Sequence, residues 1–293
     1  MEGVTLRSGA LEAVVALHGA ELRSLRHLSW GELMWPGDSA SWPGTSPILF
    51  PVIGRTRDDR IQVGGRTYSM PMHGFAQHRT FRVVEQTSSS CRLILEDSPD
   101  TRSHYPFAFR LELLYRLDED GLSARAEVTN LGVEPMPVSL GFHPGFRWPL
   151  EPGLDKGAHV VRFSDDGENI VAARPVDRLL GPERLPLPLI DGALTLRDAL
   201  FEKGALIFLS PASRLVEFGA KNGRLSLAIS FENLPQLALW MRPGADFLCI
   251  EPWRGFPDPV EPYGDLLRKP GIDIIPGRGT HHFRMCVDVV ARG

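Results

Sequence analysis

Phe109-Arg110-Leu111-Glu112-Leu113-Leu114-Tyr115-Arg116-Leu117-Asp118-Glu119-Asp120-Gly121-Leu122-Ser123-Ala124-Arg125-Ala126-Glu127-Val128-Thr129-Asn130 is the stretch that decides the fold class. Phe109, Leu111, Leu113, Tyr115 and Leu117 recur at every second position, and Leu122, Ala124, Ala126 and Val128 return with the same period. Period two places each set on one face of an extended strand. Asp118-Glu119-Asp120-Gly121 makes the turn between them, so the segment from Phe107 to Asn130 reads as a β-hairpin with one buried face.

The same reading extends in both directions. Val4 to Leu17 alternates around a Ser8-Gly9 turn, and Leu22, Leu25 and Leu28 lead toward an edge. Ile48 to Ile53 is a buried apolar run, Gly64-Gly65 a turn, and Phe81 to Glu96 a strand pair that includes Cys91 to Leu95. Strands are expected again at Ala205–Leu209, Leu215–Phe231 (turning at Lys221-Asn222-Gly223), Leu237–Met241, Phe247–Ile250 and Phe283–Val289. The proline- and glycine-rich stretch from Trp148 to about Arg197 reads as irregular loop that covers a binding face or wraps an edge, and Asp258 to Leu267 as a short helical turn. No long helical period appears. Many short antiparallel strands without crossover helices predict an all-β chain, a large antiparallel β-sandwich forming one domain over residues 1–293.

Composition narrows the function. With 43% hydrophobic and 23% charged residues, the 293-residue chain has material for a full core. A net charge of −4 gives no electrostatic reason to expect nucleic acid or an anionic membrane as partner. Cys91, Cys249 and Cys286 are far apart and lack metal-ligand spacing, which suggests reduced thiols. The start Met1-Glu2-Gly3-Val4 has no basic, apolar leader, and no run of about 18 apolar residues occurs, so a cytoplasmic location is expected. The oligomeric state is left open.

Three histidine and carboxylate motifs carry the chemistry. Gly141-Phe142-His143-Pro144-Gly145-Phe146 mounts a titratable ring between aromatics on a stiff backbone. Met72-His73-Gly74-Phe75 repeats that character, and Ile250-Glu251-Pro252-Trp253 sets a carboxylate beside a tryptophan. A lone buried histidine is more often a core residue bonded to a carbonyl, so the three motifs count together rather than singly. The loop Leu33 to Pro47 carries Trp35 and Trp42, either a stacking face for a sugar ring or pins for the loop. Gly54-Arg55 delivers an arginine that is either a surface charge or a planar fork for a polar ligand. His18 reads as a turn residue without chemistry.

Trp35-Pro36-Gly37-Asp38, Ser46 to Arg55, Tyr68 to Ala76, Gly141 to Pro144, Pro243 to Trp253, Lys269 to Ile272 and Pro276-Gly277 follow one another in an order that resembles the aldose 1-epimerase (galactose mutarotase-like) superfamily, in its shorter bacterial branch. The resemblance covers residues 33 to 277. It implies a sandwich with a sugar site on its concave face. It also implies Glu251 as catalytic base, His143 as catalytic acid, and Arg55 and His73 as substrate-binding groups, with no metal or organic cofactor. Two positions depart from the pattern: Gly204 stands where relatives carry aspartate, with Glu202 as a possible substitute, and Asp58 stands where they often carry asparagine. The implied activity is interconversion of the α and β anomers of an aldose by acid–base ring opening. The alternatives are a non-catalytic carbohydrate-binding or sensor protein, a metal enzyme built on His73, His143 and Glu251, and an epimerase of phosphorylated or otherwise anionic sugars using Arg55, Arg57, Arg60 and Arg79.

Overall fold

The computed structural model describes residues 2–167 and 169–291. Two large antiparallel sheets face each other. The Phe109–Leu117 and Gly121–Asn130 hairpin lies inside a nine-stranded sheet, with Leu111 opposite Val128 and Leu113 opposite Ala126. The last strand, Thr280–Ala291, pairs with Gly121–Asn130 on one side and Leu225–Glu232 on the other. The second sheet has eight strands. Its path runs from Leu179–Pro188 through Asn169–Val176, Leu206–Phe208, Gln236–Trp240 and Phe247–Arg254 to Leu140–Phe142 and Ile48–Leu49. Gly145–Arg147 also pairs with Phe247–Arg254.

Period two then assigns the faces. Leu206, Phe208, Leu237, Leu239 and Ile250 pack in one apolar cluster with Leu111, Leu113, Tyr115, Ala126 and Val128 of the other sheet. The alternate residues Ala173, Ile207, Ala238 and Trp253 form a second, smaller cluster on the opposite face of the eight-stranded sheet. That second face carries the site. A four-stranded N-terminal sheet, Gly3–Ser8, Leu11–Ala16, Leu22–His27 and Gly31–Glu32, adds its apolar residues to the main core.

Most expected strands are present. The stretch from Trp148 to Arg197 is the main correction: it holds the strands His159–Phe163, Asn169–Val176, Leu179–Pro188 and Ala193–Thr195. Its prolines mislead because Leu179–Pro188 is an edge strand, where a missing N–H breaks no inner ladder. Pro175 sits where the pairing with that edge shifts register. A six-residue helix, Pro99–His104, was not expected; Ser98 and Thr101 cap it reciprocally. Near Asp258–Leu267 the helical turn is a single 3-10 turn, Leu266–Arg268. Among the described residues, no helix is long and apolar enough to cross a membrane.

Tyr115 ties the N-terminal sheet to the body, because its buried hydroxyl donates to the Ala20 carbonyl at 2.7 Å. Tyr115→Phe leaves that carbonyl unpaired and should lower stability by about 1–2 kcal/mol. In urea unfolding this appears as a lower midpoint with an unchanged slope.

Candidate active site

Register places the two central groups opposite each other. Gly141 pairs with Trp253 and Gly145 with Cys249, so His143, midway between the glycines, faces Glu251. His143 Nε2 lies 3.2 Å from Glu251 Oε2, and both side chains are buried. The glycines flanking His143 make room for its surroundings. A Cβ at Gly141 would sit 2.6 Å from the Trp253 ring, and one at Gly145 would sit 2.7 Å from the Trp42 ring.

Rings enclose the imidazole. Trp42 stacks on His143 with centroids 5.0 Å apart, Trp240 meets it edge-on at 5.8 Å, and His73 at 5.6 Å. Of the two tryptophans of the expected loop, Trp42 packs on His143 and lines the cavity, while the Trp35 indole donates to the Trp42 carbonyl and pins the loop. Glu21 holds the same loop by accepting from Thr45 and Ser46 N–H.

Burial pushes the Glu251 carboxyl well above the usual carboxylate range, and the Trp253 indole only partly opposes it. Burial, followed by nearby His73, pushes His143 well below the usual imidazole value. Both shifts favour neutral forms, so the pair together holds one proton. His73 is lowered from 6.5 to about 4 by burial. Its Nδ1 accepts the Gly54 N–H at 3.1 Å, which fixes the neutral tautomer with hydrogen on Nε2. The ring is therefore a donor toward the cavity it lines.

That cavity has a volume of about 500 Å³, within the range of small-molecule sites. His73, His143 and Glu251 meet on it, as the motifs lead one to expect. Arg55 does not line it: its Nε and one terminal nitrogen make a fork to Asp59 at 2.9 and 3.0 Å. Arg57 donates to the carbonyls of Pro259 and Val260, Arg79 pairs with Asp100, and Arg60 lines a separate cleft with Asp58. The arginine that does line the cavity is Arg178, in a two-residue turn with Asp177 whose φ values are both positive. No glycine or asparagine marks that turn, so sequence reasoning missed it. Gln77 and Trp240 were missed as well. Trp240 was detectable from alternation alone, since it shares the face of Ala238.

A hub of charge sets the opposite wall. Buried Asp258 pairs with buried Lys269 at 2.8 Å, accepts the Arg57 N–H at 2.9 Å, and accepts the Tyr263 hydroxyl at 3.0 Å. Asp258 N–H also donates to the Arg55 carbonyl, and Leu180 N–H to the Asp258 carbonyl. The loops bearing Gly54, Arg178 and Pro257 are thereby tied together. Among the described residues, one group offers three ligand atoms within 4.8 Å of one another, and it is His143, Cys249 and Glu251 rather than the expected set with His73. Burial, then Glu251, keeps the Cys249 thiol protonated, a poor metal ligand.

Gly204 lines the cavity with φ +92, and a Cβ there would meet the Pro175 ring at 2.8 Å. An aspartate at that position would be strained, so the departure belongs to the backbone as well as to the side chain.

Comparisons with known proteins agree with the fold. Protein LacX (plasmid) of Lactococcus lactis subsp. lactis is 28% identical over 263 residues, covering 87% of this chain and 88% of that one. The solved structure of a galactose mutarotase related enzyme from Lactobacillus acidophilus superposes with a TM-score of 0.92 at 27% identity, over 99% of this chain and 98% of that one. A galactose mutarotase-like protein from Lactobacillus casei gives 0.91 at 26% identity, over 98% and 100%. The sequence profile described as Aldose 1-epimerase matches residues 2–260. With that profile matching most of its length and the same sandwich fold as these structures, the chain belongs to the aldose 1-epimerase family.

Proposed function

We propose that this protein is a cytoplasmic, cofactor-independent aldose 1-epimerase that interconverts the α and β anomers of an aldose. The observation that carries the reading is the buried His143–Glu251 pair, 3.2 Å apart at one end of a cavity of sugar-binding size. At rest burial leaves the shared proton on Glu251; in the reactive form it has passed across the 3.2 Å gap to His143, and Glu251 as carboxylate then takes the proton of the anomeric hydroxyl while the bond from C1 to the ring oxygen breaks. His143 gives its proton to that oxygen. The open aldehyde turns about its C1–C2 bond, and the ring closes on the other face as the same two transfers reverse. The reaction needs one acceptor and one donor at once, hence one proton shared by two groups.

Burial arranges that count. A second proton would create a buried cation, and loss of the last one a buried anion, and both are penalised. The Nε2–H of His73 donates to a sugar oxygen and supports charge developing on it. Arg55 acts from the rim through the donors that Asp59 leaves free, with Asp59 holding its guanidinium in one plane.

Three outcomes test the reading. Glu251→Gln and His143→Asn should each slow anomer exchange by about 100-fold or more, read by NMR exchange on a panel of aldoses, with circular dichroism unchanged. Sugar binding without any enzyme-dependent exchange in the wild type would instead identify a binding protein. Arg55→Lys should raise KM more than it lowers kcat, and unchanged values of both would remove Arg55 from the site.

The pH–rate profile should be bell-shaped, with its acid limb below the ordinary histidine value of 6.5 and its alkaline limb well above the ordinary glutamate value of 4.5. Stability should follow His73 in a defined sense. Its folded value of about 4 lies below the ordinary 6.5, so the unfolded chain binds the proton first and stability falls as pH drops through that window. Chemical unfolding of His73→Gln between pH 6.5 and 4 should show a shallower loss than the wild type.

A further inference from the structure

His73, His143 and Glu251 stand together at one end of the cavity. Across from Glu251, the register runs to Ala238 and then to Ile207, two strand spacings or about 10 Å along the floor. One pyranose ring with its substituents fills that span. The wall it then meets is Ile207, Ala205, Gly204 and Pro175. Gly204 offers no side chain, and its φ of +92 with the Pro175 ring 2.8 Å from any Cβ leaves no place for one. Arg174, itself buried, fixes this wall by donating to the carbonyls of Leu200 and Gly204 at 2.6 and 3.3 Å. Arg178, on the exposed turn three residues after Pro175, borders this wall from the solvent side, and the Gln77 amide donates to the Met72 carbonyl.

We infer that the aldose taken by this site has an apolar far edge, a deoxygenated or methyl-bearing carbon on the side of the ring away from the anomeric centre. The inference rests on the epimerase reading for the placement of the anomeric carbon at Glu251 and His143. A hydroxyl pressed against Ile207 and Pro175 loses its water and gains no partner, which weakens binding by about tenfold for each such group. A C–H or methyl group in the same place buries apolar surface against apolar surface and gains instead. The specificity-determining residues are Ile207 and Pro175, with Gly204 setting the shape of the wall.

The experiment compares hexoses with their 3-deoxy, 4-deoxy and 6-deoxy counterparts in two arms. Anomer exchange is followed by NMR in the wild type and in Ile207→Thr. Binding is followed in Glu251→Gln by the fluorescence of Trp42, Trp240 and Trp253, which line the cavity. At least one deoxy sugar should exceed its parent fivefold or more in kcat/KM and in affinity, and Ile207→Thr should narrow that ratio by favouring the parent. If every parent equals or exceeds its deoxy counterparts while exchange still depends on Glu251, the apolar edge is wrong and the epimerase reading stands. If no sugar shows exchange that depends on Glu251, the epimerase reading fails. The binding arm then decides alone: a deoxy sugar bound fivefold more tightly upholds the apolar edge, and its absence overturns it.

Discussion

A carboxyl and an imidazole held 3.2 Å apart out of contact with bulk water are the constraint around which the rest of this molecule is arranged. Each group alone would resist ionisation there, and each finds little else to bond: among the described residues His143 Nδ1 has no hydrogen-bond partner, and Glu251 Oε2 has only its 3.2 Å ion-pair contact with His143 Nε2. Unpaired buried polar atoms are rare because they weaken a fold. Their presence at the end of a cavity is what a site kept ready for a ligand's own oxygens requires. Neighbouring elements meet the cost through rigidity. The cross-strand register fixes the spacing, two glycines admit the tryptophans, and stacked rings leave the imidazole one position.

Opposite the sheet, the walls are loops, and loops hold a shape only when their backbone groups are satisfied. Asp258 does this for the Gly54–Arg57 segment by accepting from an N–H and a hydroxyl while forming an ion pair with Lys269. His73 does it for the adjoining turn, since its N–H donates to the Gly54 carbonyl while its ring accepts the Gly54 N–H. The same contact that shapes the turn selects the tautomer of the ring. Structure and chemistry at His73 are therefore one hydrogen bond seen from two sides.

Much of the fold was legible because alternation is a local property. The Phe109–Asn130 hairpin, the Leu215–Glu232 pair and the run at Ile48 each declared a buried face within a few residues, and the faces proved to be those of the core. Prolines between Trp148 and Arg197 concealed four strands, because proline is read as a breaker until the strand bearing it is known to lie at an edge. Edge position is a property of the assembled sheet and leaves no mark in the segment itself.

The same division runs through the site. Sequence by itself determined an all-β chain and the three motifs around His73, His143 and Glu251, since a stiff backbone, a titratable ring and a carboxylate beside tryptophan are visible as residue types in order. The family resemblance marked Gly204 as a departure. Only the tertiary structure decided that His143 stands across from Glu251, that Arg55 gives its fork to Asp59, and that Arg178 from a distant hairpin reaches the cavity. It also decided that Gly204 closes an apolar wall with Pro175. Register and loop packing bring together residues more than a hundred positions apart, and the proton shared by the pair follows from burial that no single segment possesses.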